Sequence, residues 1–176
     1  MGSRRVDALT GADWRVFEVA VTYLLRGHPG AEEVLLGRKL TGIGTGRIVG
    51  PGGKLEPGET AAEAAAREVG EEVGLVVLAE DLVLVAELSY DFPHRPAWSQ
   101  RSRAFLSRAW SGTPEASREL EPSWYPVSAL PLDEMWDDAR LWLPRALAGV
   151  AVRADCSYGA DNRSVASWHE IDVAGD

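Results

Sequence analysis

Cysteine is almost absent. Cys156 stands alone among 176 residues, so no internal disulfide framework can form. A lone thiol suits a reducing compartment, a cytoplasmic location is expected, and Cys156 itself reads as a small residue near a turn. Histidine is scarce too: His28, His94 and His169 share no metal-ligand spacing and read as ordinary structural residues. Long apolar runs are missing. The greasiest stretch, Leu75 to Leu88, is interrupted by Glu80, Asp81 and Glu87, so no membrane span is expected. The basic start, Met1-Gly2-Ser3-Arg4-Arg5, is followed by Asp7 and Asp13 instead of an apolar segment, unlike a signal peptide. Basic charge is also short. Lys and Arg number 18 against 27 Asp and Glu, a net charge of -9 that repels DNA and RNA. A small phosphorylated ligand remains compatible if metal ions offset the like charges.

What is present describes one globular domain. The hydrophobic share of 45% and charged share of 26% are ordinary for a folded protein. Residues 1–13 are expected to be a loose tail and 14–176 a single domain. Val16 to Leu25 reads as a buried strand and Glu33 to Arg38 as its return, across the turn Arg26-Gly-His-Pro-Gly30. Gly42, Gly44 and Gly46 mark a loop. Gly50 to Gly58, with its glycines and two prolines, reads as irregular. Thr60 to Val73 reads as a helix, with five alanines, the capping-box pair Thr60 and Glu63, and Gly74 as a left-handed cap. Further strands are expected over 82–89, 102–109 and 123–127, a second helix within 132–147, and a hairpin of 150–153 with 164–171. The coarse result is an α+β fold, a mixed sheet flanked by two helices.

The chemistry concentrates around that first helix. Glu68, Glu71 and Glu72 stand at i, i+3 and i+4, so their carboxylates leave one face. Like charges at that spacing oppose helix formation, and Gly70 costs roughly 1 kcal/mol relative to alanine. A solvated acidic face is the plain reading. Hard divalent cations are the functional one, because Mg²⁺ and Mn²⁺ take carboxylate and phosphate oxygens. The glycine-rich loop lets backbone approach such a site, and Arg67 is placed to bond Glu59 and lock loop to helix.

The full string is more specific than its parts. Gly53, Glu59, Arg67, Glu68, Val69, Glu71, Glu72, Gly74 and Leu75 meet every specified position of the Nudix box. From about Val16 to Val173 the chain resembles the MutT-type Nudix enzymes, in particular the animal oxidised-purine nucleoside triphosphatases. The matching stretches include Val34-Leu-Leu-Gly-Arg-Lys39, Glu119-Leu-Glu-Pro-Ser-Trp124 and Met135-Trp136-Asp-Asp138. The resemblance implies a mixed α/β sandwich and hydrolysis of a nucleoside triphosphate to monophosphate and pyrophosphate. By position it implies metal ligation by the Gly52 carbonyl, Glu68, Glu71, Glu72 and Glu119, with Mg²⁺ as cofactor and Mn²⁺ as its substitute. Arg67 would hold the site, and Glu71 or Glu119 would take a proton from water. Lys39 would reach the phosphates, while Tyr90, Phe92, Trp136 and Asp138 would line the base pocket.

Two positions depart from those relatives. Val49 replaces a pocket asparagine and Ala139 the second base-reading aspartate, so preference for an oxidised base such as 8-oxoguanine carries over poorly. A segment around His94-Arg-Pro-Ala-Trp98, additional to those relatives, is placed to reshape the pocket rim. The alternative substrates are dinucleoside polyphosphates, nucleotide sugars or another diphosphate-linked metabolite, and a nucleotide-sensing module without turnover is a third reading. The expected partner is a small nucleotide, not a nucleic acid polymer or a membrane, and the chain is expected to act as monomer or homodimer.

Overall fold

The computed structural model describes residues 4–6 and 13–172, with side chains from Val16 to Asp172. Most of the tail expected to be loose lies outside the described residues. Its described backbone forms a short antiparallel ladder of β1 (Arg4–Val6) with β2 (Asp13–Arg15). The principal strands are β3 (Phe17–Arg26), β4 (Glu33–Lys39), β5 (Ile48–Val49), β6 (Gly52–Lys54), β7 (Val83–Asp91), β8 (Gln100–Ser107), β9 (Leu120–Pro126), β10 (Val152–Tyr158) and β11 (Val165–Glu170). Two helices accompany them, α1 (Ala61–Val73) and α2 (Ala139–Leu147).

The sheet is mixed, as expected. Its order is β11-β10-β7-β8-β3-β4-β5, with β6 added to β3 and β9 to β4. β3 runs parallel to β8, and β7 parallel to β10, while the remaining pairs are antiparallel. β3 and β4 share only two ladder positions, Leu25 with Val34 and Arg26 with Glu33. Beyond that hairpin seam β3 pairs with β6 and β8, and β4 with β5 and β9, so the two arms part.

Alternation along β3 decides which face each residue serves. Ala20 and Leu24 turn toward α1 and pack with Ala64, Ala65, Val69 and Val73. Tyr23 and Leu25 turn the other way, into a core shared with Trp142, Leu143 and Ala146 of α2. The sandwich thus has one helix on each face.

Helix α1 begins and ends where its sequence signals place it. The Thr60 hydroxyl accepts from the Glu63 N–H at 3.2 Å, and the Glu63 carboxylate accepts from the Thr60 N–H at 2.8 Å. Gly74 closes it with φ 70°, a conformation that side chains oppose.

Two local expectations are corrected, and a third is narrowed. Gly52–Lys54, expected to be irregular, forms a ladder with Val19–Val21. A Cβ on Gly52 would stand 2.4 Å from the Ala20 carbonyl oxygen, so glycine is what permits that close pairing. The second helix lies within the 132–147 window, as expected, at its C-terminal part. A 3-10 turn covers Leu132–Glu134, Met135 is extended, and α2 starts only after Asp138, whose carboxylate is engaged elsewhere. Cys156 lies inside β10, 2% exposed, not beside a turn. Burial, with Asp138 nearby, pushes its thiol up to about 12, so it stays unreactive.

Candidate functional site

The buried side of α1 carries two stripes. Ala65, Val69 and Val73 are apolar, while Ala64, Glu68 and Glu72 place two carboxylates against the β6 loop. Glu68 and Glu72 are only 8% and 6% exposed. Glu71, the third member of the spacing, lies at the rim with a side chain 58% exposed.

Each buried carboxylate meets backbone without side chains. The Gly52 N–H donates to Glu72 Oε2 at 3.0 Å. A Cβ on Gly53 would stand 2.3 Å from Glu68 Oε1, so the box glycine is required for that approach. Burial raises the Glu72 pKa to about 7, against the Gly52 hydrogen bond and the Lys39 charge, and with the charges of Glu68 and Glu119. Glu68 is also raised, chiefly by burial and against Arg67, with Glu71 and Glu119 adding to the rise. Glu119 itself is exposed, just before β9, yet its charge reaches both buried acids.

Arg67 binds loop and helix together as its position predicts. It donates to Glu59 at 2.6 Å and 3.0 Å, to the Lys54 carbonyl at 3.1 Å, to Glu68 at 3.0 Å and to Glu71 at 3.1 Å. Its guanidinium therefore ties Glu68 and Glu71 to the loop. Among the described residues no group of three acidic, histidine or cysteine side chains is drawn together as a metal cage.

A cleft of about 380 Å³ opens where β3 and β4 part. One end is built by Gly52, Gly53, Lys54 and Glu72, and the other by Tyr90, Phe92, Trp136 and Asp138. Lys39 and Val49 line it too, so all six residues expected to bind substrate border one cavity. Gly52 and Glu72 border it as well, whereas Arg67, Glu68, Glu71 and Glu119 are not part of its lining.

The far end is organised around Asp138, which is 3% exposed. Tyr90 donates to Oδ2 at 2.6 Å, Trp142 Nε1 donates to Oδ2 at 2.8 Å, and the Tyr158 hydroxyl donates to Oδ1. A carboxylate offers about four acceptor sites, so roughly one remains. With both phenolic protons committed to Asp138, this end presents acceptor surface. Burial, with Asp138 second, raises the pKa values of Tyr90 and Tyr158, which keeps both phenols protonated. Phe92 stacks on Tyr158 at 4.6 Å and meets Trp136 edge-on at 5.9 Å. Tyr158 and Trp142 had escaped the sequence reading as site residues. No local motif marks a tyrosine that reaches Asp138 from 20 residues along the chain.

A family model of the NUDIX domain matches residues 16–146. The chain belongs to the Nudix family. This Nudix chain is 37% identical over 116 residues to the oxidized purine nucleoside triphosphate hydrolase of Mus musculus, covering 66% of itself and 72% of that protein. To the protein of the same name from Danio rerio it is 35% identical over 127 residues, 72% of this chain and 78% of the other. Among solved structures, a MutT protein from Bacillus halodurans matches with TM-score 0.72 at 22% identity, over 88% of this chain and 97% of that one. That likeness supports the Nudix fold described above. Among the described residues no helix is long and apolar enough to cross a membrane.

Proposed function

We propose that this Nudix protein hydrolyses a nucleoside triphosphate to a monophosphate and pyrophosphate, with oxidised purine nucleotides such as 8-oxo-dGTP among its substrates. The observation that carries the reading is that one cleft joins the buried carboxylate Glu72 to an aromatic, hydrogen-bonding floor. The two animal relatives, named for oxidised purine nucleoside triphosphates, support it.

The donor set fits a hard divalent cation. Glu68, Glu72, Glu71, Glu119 and the Gly52 carbonyl offer only oxygen, and two of the carboxylates are buried without enough positive charge to neutralise them. Mg²⁺, with Mn²⁺ as its substitute, would supply charge neutralisation of the phosphates and acidification of water. The chain's own residues do the rest. Arg67 fixes the carboxylates to the loop, Lys39 faces the phosphates, and Glu71 and Glu119 are exposed carboxylates able to take a proton from water. Tyr90, Phe92 and Trp136 enclose the base.

The deciding assay incubates normal and oxidised nucleoside triphosphates, dinucleoside polyphosphates and nucleotide sugars with the protein and Mg²⁺. Pyrophosphate and nucleoside monophosphate are the expected first products from the triphosphates. Nucleoside diphosphate as the initial product, or turnover confined to the other two classes, overturns the proposal.

Val49 and Ala139 sharpen a second expectation. Both border the cleft, and neither side chain can exchange a hydrogen bond with a base edge. A missing bond of that kind is worth roughly 1–3 kcal/mol, or about one to two powers of ten in kcat/KM. The wild type should therefore favour 8-oxo-dGTP over dGTP only modestly, and Val49→Asn with Ala139→Asp should widen the ratio. A several-hundredfold preference already present in the wild type would show that other residues read the oxidised base.

A further inference from the structure

A second cleft, about 350 Å³ in volume, adjoins the first and shares Gly42 and Trp136 with it. Its composition runs against that of the chain. Three arginines meet there: Arg47 just before β5, Arg95 from the segment after β7, and Arg163 from the turn between β10 and β11. Asp161 is the one acid of the lining. Its Oδ1 is already taken by the N–H groups of Arg163 and Ser164, both at 2.9 Å, and its Oδ2 by the Ser164 hydroxyl at 2.6 Å.

The guanidinium groups are prepared for an oxyanion. Arg47 lies 4.3 Å over the Trp136 ring and Arg95 lies 4.1 Å over the Trp98 ring. The two indoles meet edge to face at 6.2 Å, so the cationic and aromatic groups form one continuous wall. A guanidinium over an indole face can keep N–H groups available, and these match a phosphate or carboxylate. Arg47 spends one N–H on the Met135 carbonyl at 3.0 Å. Among the described residues none of the three arginines has a carboxylate within 4.0 Å.

An independent observation points to a ligand at the same place. Among the described residues the buried Asn162 side-chain oxygen has no hydrogen-bond partner, and Asn162 borders this cleft. An unmatched acceptor is unfavourable, so turning the amide toward a donor in the cleft relieves it. A phosphate ester with hydroxyl groups supplies both what the arginines need and what Asn162 lacks.

We propose that the second cleft binds a phosphate-bearing small molecule, held by Arg47, Arg95 and Arg163, and that its occupancy is felt in the first cleft through the shared Trp136. No residue of the Nudix box lines this cleft, and of the base-pocket residues only Trp136 does, so the proposal stands apart from the assigned reaction. The phosphate can come from free orthophosphate or from a sugar phosphate. The two sources differ in the donors they bring to Asn162.

The test follows the indole N–H resonances of ¹⁵N-labelled full-length protein in EDTA, titrated separately with orthophosphate and with ribose 5-phosphate. Ribose 5-phosphate carries no base and therefore does not engage the aromatic floor of the first cleft. Saturable shifts of Trp98 and Trp136 together are expected, and Arg95→Ala with Arg163→Ala should weaken binding by about tenfold or more. Both arginines are exposed, so the double variant keeps the fold. Tighter binding of ribose 5-phosphate identifies a phosphate ester as the ligand class, and equal binding identifies free phosphate. Absence of a saturable Trp98 shift, or equal affinity in the double variant, overturns the site. A Trp98 shift without any at Trp136 overturns the coupling.

Discussion

Glu72→Gln should lose about 10²–10⁴-fold in kcat while gaining stability in the metal-free protein at neutral pH. The two halves of that expectation have one cause. Glu72 is a buried acid whose pKa stands at about 7 when folded, against an ordinary carboxylate value of 4.5. Between those values the folded state binds more protons than the unfolded state, so stability falls as pH rises. The stability that Glu72 lends is fully present below about pH 4.5 and is lost as pH passes through 7. Its size is on the order of 3 kcal/mol. Glutamine keeps an oxygen for the Gly52 N–H and never ionises, so the variant should lack that part of the slope. Glu59, Glu63, Asp161 and Glu170 have lowered pKa values and act in the opposite sense, but at lower pH. Urea unfolding of both proteins in EDTA from pH 4.5 to 8, beside kcat in saturating Mg²⁺, makes the check. Unchanged turnover in a folded variant would remove Glu72 from the chemistry, and parallel stability curves would remove its buried charge.

Guanine-type triphosphates should exceed adenine-type ones in kcat/KM by at least about 10²-fold. The floor around Asp138 accepts hydrogen bonds and has its own donors committed, to Asp138 from Tyr90, Tyr158 and Trp142. A guanine edge brings adjacent N–H donors to such a surface, whereas adenine sets a ring nitrogen acceptor against it. Sites that leave buried polar groups unpaired discriminate steeply, up to about 10⁴–10⁵-fold where every bond depends on the match. Asp138→Asn should erode this ratio, because its amide NH₂ faces groups that also donate. The same variant should lose about 1–3 kcal/mol of stability as one of the three donors goes unmatched. Steady-state kinetics on dGTP and dATP, with thermal unfolding of the variant, decides it. Equal kcat/KM for the two nucleotides in the wild type would show that the base does not read this floor.

The chemical end of the cleft was far more legible in the sequence than the recognition end. Thr60, Glu63, Gly74 and the carboxylate spacing act within one helix, where local rules hold, and the Arg67 bond to Glu59 crosses only a short loop. The Asp138 cluster joins β7, α2 and β10, and no local pattern announces which distant hydroxyls will converge on one carboxylate. Gly52–Lys54 was hidden for another reason. Two glycines carry no strand propensity, and only the approach to Ala20 makes them pair. The β10–β11 hairpin was placed correctly but drawn too short, because strand ends depend on partners rather than composition.

Strand β3 works as a common chassis for chemistry and recognition. On its edge it carries β6, and with it the loop whose Gly52 touches Glu72. Through Val19, Val21 and Tyr23 it also lays down one wall of the nucleotide cleft. Gly52 pairs with Val21, which lies two residues of extended backbone, about 7 Å, from Tyr23 along β3. That interval is set by main-chain hydrogen bonds, which a side-chain substitution does not move. On the proposed reading, point changes at the cleft wall, such as at Val49 and Ala139, would retune which base is welcome while leaving the opposite end unmoved. Such a layout lets selection rewrite the substrate list one residue at a time without rebuilding the engine.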